Sequence, residues 1–336
     1  MDLSTEYLGL KLKNPLVASS SPMTWDLKTA AELEQAGVSA IIMPSLFEEQ
    51  IEHEQAQLQR FVHQQALAHA EFDTIHPQLA DYEDYQYKYL KQLQALKQEL
   101  EIPVIASLNG ITDGGWVQYA QELEQAGADA LELNIYYVAA DPNESSSEVE
   151  QRYLDVFQAV DQHLQIPVSM KLSHQFSALI PMLKNLQQAG VAGVSLFNRF
   201  YQPDIDLESL HVVPRLALST PEEALLRIRW IAMLRHQVTM SLAITGGIHR
   251  SEEVIKGLLA GADITCLCSA LLENGPQHIK TLLEQVDQWM QEKEYESVNQ
   301  LKGSLSYAHA INPAAYERAN YLEVLDSYSY ASGVMV

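Results

Sequence analysis

One lysine in a mostly apolar segment is the side chain best placed for chemistry in this sequence. Lys171 belongs to the segment Pro-Val-Ser-Met-Lys-Leu, residues 167–172. Burying an unpaired charge is costly, so a lysine in this setting either reaches solvent or neutralises an anion. We expect Lys171 to face an anionic group, and an ordinary surface lysine is the alternative.

Two asparagines suit the recognition of a planar ring. Asn134 and Asn198 stand at the ends of two other apolar segments. Each side-chain amide offers two N–H donors and a carbonyl acceptor, which match the imide groups of a heterocycle. Together with Lys171, they predict a site for a small planar heterocyclic substrate.

The elements that must position these side chains are marked by an elbow that occurs four times. A helical pattern ends at a glycine and runs into a short apolar segment, over residues 32–43, 122–133, 185–196 and 257–267. Glycine suits the left-handed conformation at a helix C-terminus. Such apolar segments are typical of strands buried on both faces of a parallel sheet. The repeat favours an open doubly wound sheet or a closed barrel.

The number of strands decides between these architectures. Further strands are predicted at residues 14–19, 103–108, 167–172 and 241–245, which brings the total to eight. Helical patterns lie between most of them, and one follows the last strand. This order predicts an α/β fold, a TIM (β/α)8 barrel, as a single domain over residues 1–336.

Three parts of the chain fall outside the predicted barrel core. The excursion Glu48–His76 follows the second strand, and its scattered apolar residues predict a helical lid over the barrel mouth. A second excursion covers Phe200–Ser219. Residues 293–336 form a C-terminal extension.

Two loops have the composition of a phosphate site. In this fold the site lies at the C-terminal ends of the strands, and the loops after the last two strands often bind phosphate. Gly246-Gly247 follows the seventh predicted strand and Cys268-Ser269 the eighth. The glycines permit close approach of backbone N–H groups, and Ser269 adds a hydroxyl. Beside a phosphate site, Lys171 suits a substrate anion or the electron-rich N1/C2=O edge of a flavin. The alternative is that the glycines only turn the chain.

The charge balance argues against polyanionic partners. The formal net charge is −23, whereas nucleic acids and anionic membranes attract clustered lysine and arginine. No apolar run approaches the ~18 residues of a membrane span, and the N-terminus lacks the pattern of a signal peptide. We therefore expect a cytoplasmic protein with no nucleic-acid or membrane partner, for which a homodimer is one open assembly.

The two cysteines do not indicate a disulfide or a metal. Cys266 and Cys268 lie two residues apart in the eighth predicted strand and so point to the same side. A disulfide between such positions is geometrically poor, and a lone Cys-x-Cys is not a zinc site. We expect buried thiols, and no metal.

Five segments occur in the order known from one enzyme family. They are Tyr7–Ser21, Glu132–Ile135, Met170–Leu172, Ile244–Ile248 and Ala260–Pro276. In these segments the chain resembles the dihydroorotate dehydrogenase family of FMN-dependent barrels, and the resemblance runs from about residue 3 to residue 303. It implies oxidation of dihydroorotate to orotate in pyrimidine biosynthesis, with hydride transfer to the flavin. The positions that the resemblance places around FMN are Ala18, Ser19, Asn134, Lys171, Gly246, Gly247, Cys268 and Ser269; it places Asn198 near the substrate.

Three positions depart from the family's pattern. Pro44 stands where the family has a lysine that reaches flavin and substrate, and Glu48–His76 contains no Asn-x-x-Gly-x-x-Asn loop. Tyr137 occupies the position of the family's catalytic base, a serine or cysteine. We predict that Tyr137 transfers the proton with Lys171 as its neighbouring cation. Tyr136 is the competing residue, and an aromatic packing role for Tyr137 is the alternative.

The flavin half of the predicted site is therefore kept and the substrate half is rewritten. Two functions stay open on the sequence. One is an FMN-dependent oxidoreductase of the dihydroorotate dehydrogenase type. The other is a barrel that binds a flavin or another phosphorylated ligand without turning over dihydroorotate.

Overall fold

Eight parallel strands close into a barrel, which confirms the predicted (β/α)8 fold. The computed structural model describes residues 1–51, 53, 84–110 and 116–317. The strands of these residues are β1 (Thr5–Tyr7), β2 (Leu10–Leu12), β3 (Leu16–Ala18), β4 (Ala40–Phe47), β5 (Val104–Asn109), β6 (Ala130–Asn134), β7 (Val168–Leu172), β8 (Gly193–Leu196), β9 (Asp204–Asp206), β10 (His211–Val213), β11 (Ser241–Thr245) and β12 (Ile264–Leu267). Around the barrel the order is β3-β4-β5-β6-β7-β8-β11-β12, and β12 pairs with β3.

Helices surround the barrel. The helices of the described residues are α1 (Leu27–Ala36), α2 (Tyr85–Glu99), α3 (Trp116–Gln125), α4 (Ser146–Asp161), α5 (Leu179–Ala189), α6 (Ala224–Leu234), α7 (Ser251–Ala260), α8 (Ser269–Asn274), α9 (His278–Glu292), α10 (Val298–Leu301) and α11 (Ala314–Glu317). A short 3-10 turn, Pro221–Glu223, precedes α6. Within the described ranges, we find no helix that combines the length and apolar character needed to cross a membrane.

The four repeated elbows have the backbone conformation that the sequence predicts. Their glycines all have a positive φ, between 100° and 125°. At the first elbow, the N–H of Gly37 donates to carbonyl oxygens in the last turn of α1. This left-handed residue ends the helix and turns the chain into the next strand.

A short hairpin closes the N-terminal end of the barrel. Strands β1 and β2 pair antiparallel. Tyr7 packs in one buried cluster with residues at the beginning of barrel strands, such as Ala40 and Ala130. The N–H of Leu8 donates to Oγ of Ser241 at 3.0 Å, at the start of β11. The lower barrel interior is therefore apolar and filled, and polar interior residues lie above it.

The excursions have different outcomes. The predicted lid lies outside the described residues, except for 48–51 and 53, where a helix begins at Glu48. The second excursion contains the antiparallel pair β9–β10, which the sequence did not predict. The C-terminal extension packs back on the barrel helices, since the N–H groups of Gly303 and Tyr307 donate to carbonyls in α7 and α6.

Candidate active site

Three polar side chains at neighbouring strand ends lie at one level of the barrel mouth. Asn109 is paired in register with Asn134, and Asn134 with Lys171. All three are buried. Because strands alternate their side chains, these residues share the inward direction. The structure therefore brings Asn134 and Lys171 together as the sequence predicts.

Amides and hydroxyls form a continuous hydrogen-bonded chain across this level. Nδ2 of Asn198 donates to Oδ1 of Asn134 at 2.6 Å. Nδ2 of Asn134 donates to Oγ of Ser45 at 3.3 Å, and the hydroxyls of Ser45 and Ser107 are 2.8 Å apart. The chain fixes the orientation of both predicted substrate-binding asparagines, and each keeps further polar groups for a ligand.

Lys171 forms a buried ion pair with Glu132, two residues before Asn134 on β6. Its Nζ lies 3.4 Å from Oε1 of Glu132, and the Glu132 side chain is 1% exposed. Oγ of Ser195 donates to the other carboxylate oxygen at 2.9 Å. Oε1 has no hydrogen bond within the described residues, so the contact is an ion pair rather than an aligned hydrogen bond. Burial is the largest single influence and lowers the pKa of Lys171, but the Glu132 carboxylate together with Cys266 and Cys268 outweighs it, so this pKa is raised overall.

The sequence analysis missed Glu132 as a site residue. Its signal was a carboxylate inside the apolar strand Ala-Leu-Glu-Leu-Asn, at the same alternation as Asn134. Glu132 does not consume the hydrogen-bonding capacity of Lys171. A buried cation therefore stands at the mouth with N–H groups to offer to an anion.

The Gly246-Gly247 loop is tightly packed on one side. Both glycines have a positive φ, 89° and 81°. A Cβ at Gly246 would lie 2.8 Å from Nη2 of Arg227, and one at Gly247 would collide with the backbone nitrogen of Ala224. The N–H groups of Gly247 and Ile248 donate to no acceptor among the described residues. The loop therefore presents free backbone donors that the fold itself does not use.

The other predicted phosphate loop lies close to the first strand. The N–H of Ser19 donates to the carbonyl of Leu267 at 2.8 Å, and Sγ of Cys268 is 3.8 Å from the carbonyl of Ser20. The end of β3, with Ala18 and Ser19, thus adjoins Cys268 and Ser269. Both cysteines are free; Cys266 is buried, as expected, whereas Cys268 is partly exposed.

Ser219 ties the second excursion to this loop. Its N–H and its hydroxyl both donate to Oγ of Ser269, at 3.0 and 2.9 Å. Sequence reasoning had no signal for this contact, because the two residues are fifty positions apart and no sequence pattern connects them. The polar mouth therefore includes Lys171, the Asn134–Asn198 pair and the two loops.

A family model described as "Dihydroorotate dehydrogenase" matches residues 2–290. The chain belongs to the dihydroorotate dehydrogenase family. It is a dihydroorotate dehydrogenase-like oxidoreductase.

Individual relatives are distant, and two of the three named here cover most of the chain. A protein of Aeropyrum pernix whose name includes "dihydroorotate dehydrogenase A (fumarate)" is 25% identical over 321 residues, 92% of this chain and 98% of that protein. The "Dihydroorotate dehydrogenase B (NAD(+)), catalytic subunit" of Endomicrobium trichonymphae is 23% identical over 316 residues, 91% and 97% of the two chains. The "Dihydroorotate dehydrogenase A (fumarate)" of Limosilactobacillus reuteri is 30% identical over 178 residues, 48% and 55% of the two chains. At these identities the substrate side of the site has room to differ.

Tyr137, which the sequence resemblance suggested at the position of the family's base, contacts the segment leading into α4. Its hydroxyl hydrogen-bonds to Oε2 of Glu144. The guanidinium carbon of Arg152 lies 4.2 Å from the centre of its ring, and Nη2 of Arg152 lies 2.6 Å from Oε1 of Glu144. We expected Lys171 as the neighbouring cation, but the structure puts Arg152 against the phenol ring and Lys171 against Glu132.

The competing tyrosine has a different environment. The ring of Tyr136 stacks on Phe200, with centroids 4.1 Å apart and planes at 29°. These residues follow Asn134 and Asn198 by two positions each. The stacked rings of Tyr136 and Phe200 therefore follow the hydrogen-bonded amides of Asn134 and Asn198 along the same two segments.

Pro44, which replaces a lysine of the dihydroorotate dehydrogenase pattern, lies at an irregularity of β4. The register with β5 shifts between Ile42 and Ser45, and the Pro44 carbonyl accepts a hydrogen bond from Oη of Tyr89 at 2.7 Å. The shift brings the next residue, Ser45, into the amide–hydroxyl chain. A neutral hydroxyl thus contacts Asn134 at the end of this strand.

Proposed function

We propose that this protein is an FMN-dependent oxidoreductase that oxidises a CH–CH bond of a small planar heterocycle, with dihydroorotate as the first substrate to test. The observation that carries the proposal is the buried Lys171 ammonium beside the Asn134–Asn198 pair. A cation and paired amides at one level are a donor set for a ring that carries carbonyl groups and negative charge.

The donor set at the mouth fits FMN. The free N–H groups of Gly247 and Ile248, with the hydroxyl of Ser269, suit a phosphate. Lys171 suits the electron-rich edge of the flavin ring, and Ala18, Ser19, Asn134, Gly246 and Cys268 complete the proposed cofactor contacts. When bound, FMN supplies the acceptor for the hydride that leaves the substrate.

The residues of this chain hold the substrate and move its proton. Asn134 and Asn198 would orient the ring through their remaining polar groups. We assign the proton transfer to Tyr137: its oxygen takes the proton from the substrate carbon as its own hydroxyl proton passes to Glu144. A hydrogen bond to a carboxylate prepares a phenol for this exchange.

We also propose a homodimer that forms through the β9–β10 hairpin. The apolar side chains of this region are strongly exposed; those above 60% are Ile205, Leu207, Leu210, Val212 and Leu216. Contiguous exposed apolar surface is typical of an interaction site. Association of two copies would cover it by an isologous contact.

The function is tested on the purified protein. Bound FMN should give a yellow protein, and anaerobic addition of dihydroorotate should bleach the flavin. A protein that binds no FMN contradicts the cofactor assignment. Flavin that dithionite reduces but dihydroorotate does not would exclude this substrate, and would favour another dihydro-heterocycle or a binding barrel without dihydroorotate turnover.

A further inference from the structure

A chain of four polar side chains lies beside the two loops that we assign to phosphate. Ser219 donates twice to Oγ of Ser269, as described above. Nε2 of His249 lies 3.1 Å from Oγ of Ser219, and Nδ1 lies 3.4 Å from Oε2 of Glu273. The chain therefore runs from the half-exposed Glu273 carboxylate to the hydroxyl of Ser269.

The inner part of this chain is buried and fixed. Ser219, His249 and Ser269 are at most 9% exposed. Nε2 of His278, on α9, is 2.8 Å from the carbonyl oxygen of His249 and holds its backbone. His249 follows Gly247 by two positions, so the imidazole is anchored to the same loop that offers the free N–H groups.

Counting hydrogens assigns the direction of each bond. A serine hydroxyl has one hydrogen to donate, and Ser219 uses its hydrogen for Ser269. His249 must then donate from Nε2 to Ser219. The hydrogen of Ser269 meets no acceptor within the described residues and is free for a ligand. With a carboxylate facing Nδ1, the doubly protonated imidazolium satisfies both ends of the chain.

Loss of the proton from Nε2 reverses this direction. The hydroxyl of Ser219 would then donate to the bare nitrogen of His249. The hydroxyl of Ser269 would turn to Ser219 to keep the remaining bond. Its hydrogen would no longer be available to a ligand at the loop.

We propose that His249 is a positioning residue whose imidazolium form directs the hydroxyl of Ser269 toward the phosphate of the bound cofactor. The inference rests on the proposed function, because it takes FMN as the ligand of these loops. The titratable and charged groups around His249 are Glu273 of α8, Glu222 of the 3-10 turn, His278 of α9 and Arg250, the next residue along its own loop.

The affinity for FMN should therefore depend on pH through a group of the protein, the imidazole of His249. The parent should gain affinity for FMN as the imidazole becomes protonated. The phosphate of FMN loses negative charge over the same range and works in the opposite direction. The parent therefore has to be compared with matched variants, because the titration of the phosphate is the same in both and cancels in the ratio of affinities.

The experiment measures the dissociation constants of FMN and riboflavin between about pH 5.5 and about pH 8, the range in which histidine titrates. The proteins are the parent, His249→Gln and Ser219→Ala. Glutamine keeps a donor and does not titrate, and Ser219→Ala uncouples Ser269 from His249. The affinity of the parent for FMN, relative to each variant, should rise about tenfold toward low pH. For riboflavin, which lacks the phosphate, the affinity of the parent relative to each variant should not change with pH.

Each result decides the matter. FMN profiles that run parallel in the parent and Ser219→Ala contradict the inference, even where His249→Gln fails to fold. An equal effect on riboflavin contradicts it as well, since the hydroxyl would then not act on the phosphate. A parent that binds neither flavin removes the proposed function and this inference together. Normal FMN binding with parallel profiles removes this inference alone.

Discussion

The ammonium of Lys171 and the carboxylate of Glu132 lie 3.4 Å apart inside the barrel, on neighbouring strands β7 and β6. Glu132 is the deeper of the two and is held by Ser195. The pair therefore fixes a cation at the level of Asn134, where the mouth begins. Its two members are expected to have separable effects, one on cofactor binding and one on stability.

Replacing Lys171 by alanine should weaken FMN binding and lower the reduction potential of the FMN that remains. The loss of a buried cation removes the charge that stabilises electron-rich reduced flavin. FMN content after gel filtration and the midpoint potential are the measurements. Lys28→Ala is the control, because the Lys28 side chain is 86% exposed. If Lys171→Ala kept the FMN content and the midpoint potential of the parent, Lys171 would have only a structural role.

Breaking the ion pair should cost the flavin-free protein stability. Glu132→Gln leaves a buried lysine without its carboxylate, for which about 3–5 kcal/mol of unfolding free energy is expected. Lys171→Met combined with Glu132→Gln should recover a large part of that loss. Denaturant unfolding of the parent, the single variants and the double variant gives the coupling energy. A double variant as unstable as the sum of the singles would show that the pair is not coupled.

The contribution of Lys171 to stability should fall in the alkaline range. The pKa of Lys171 is raised above its ordinary value. Stability from such a group is fully present below the unfolded pKa, about 10.4, and is lost as pH rises through the folded pKa. The difference in unfolding free energy between the parent and Lys171→Met should therefore persist from neutral pH to about pH 10 and shrink above it. A difference that shrinks near neutral pH would contradict this direction.

Tyr137→Phe should bind FMN normally and slow its reduction by substrate roughly 10²-fold, the usual scale for a lost proton-transfer group. The variant keeps the ring under Arg152 and removes only the hydroxyl that contacts Glu144. Tyr136→Phe is the matched control, since its ring stacks on Phe200 and should keep that contact. Stopped-flow reduction under anaerobic conditions measures both. Equal rates in the parent and Tyr137→Phe would assign Tyr137 to packing.

The thiols should resist alkylation in the native protein. Burial raises the pKa of Cys268 and of Cys266, so the thiolate fraction at about pH 8 is smaller than in a free cysteine. Iodoacetamide labelling followed by mass spectrometry should be slow when folded and complete in urea. Because Cys268 lies at the proposed phosphate loop, FMN should slow its labelling further. Rapid labelling of Cys268 that FMN does not change would argue against that placement.

A charged residue in the β9–β10 hairpin should shift the protein from dimer to monomer. Val212→Asp introduces a carboxylate at an apolar side chain that is 70% exposed. Leu305→Asp is the control, since Leu305 is half-exposed in the C-terminal extension. Light scattering over a concentration series measures the mass. A parent that stays monomeric, or a Val212→Asp protein that stays dimeric, would contradict assembly through this hairpin.

The sequence predicted the parts of the fold that are local. Each elbow glycine combines a helix end, a left-handed residue and an apolar strand within about a dozen positions, and all four glycines have the positive φ that this pattern requires. Lys171 and Asn134 were predicted at the mouth because strand ends meet there in any such barrel.

The parts that were missed depend on contacts between distant segments. Glu132 gained its importance only once β6 and β7 were in register. The link from Ser219 through His249 joins two loops to α8, and no sequence pattern connects these segments. The β9 and β10 strands have three residues each, too few for an alternation to stand out, and the partners of Tyr137 lie in the segment leading into α4 and in α4 itself.

The β1–β2 hairpin, which contains Tyr7 and Leu8, also constrains the order of events in a catalytic cycle. It seals the N-terminal end of the described barrel, so a ligand approaches the polar level of Lys171 from the mouth. The oxidised product and the electron acceptor must then use the same opening in turn. The site then has a single entrance. Steady-state kinetics should follow a ping-pong pattern, in which the product of the first half-reaction competes with the acceptor for entry.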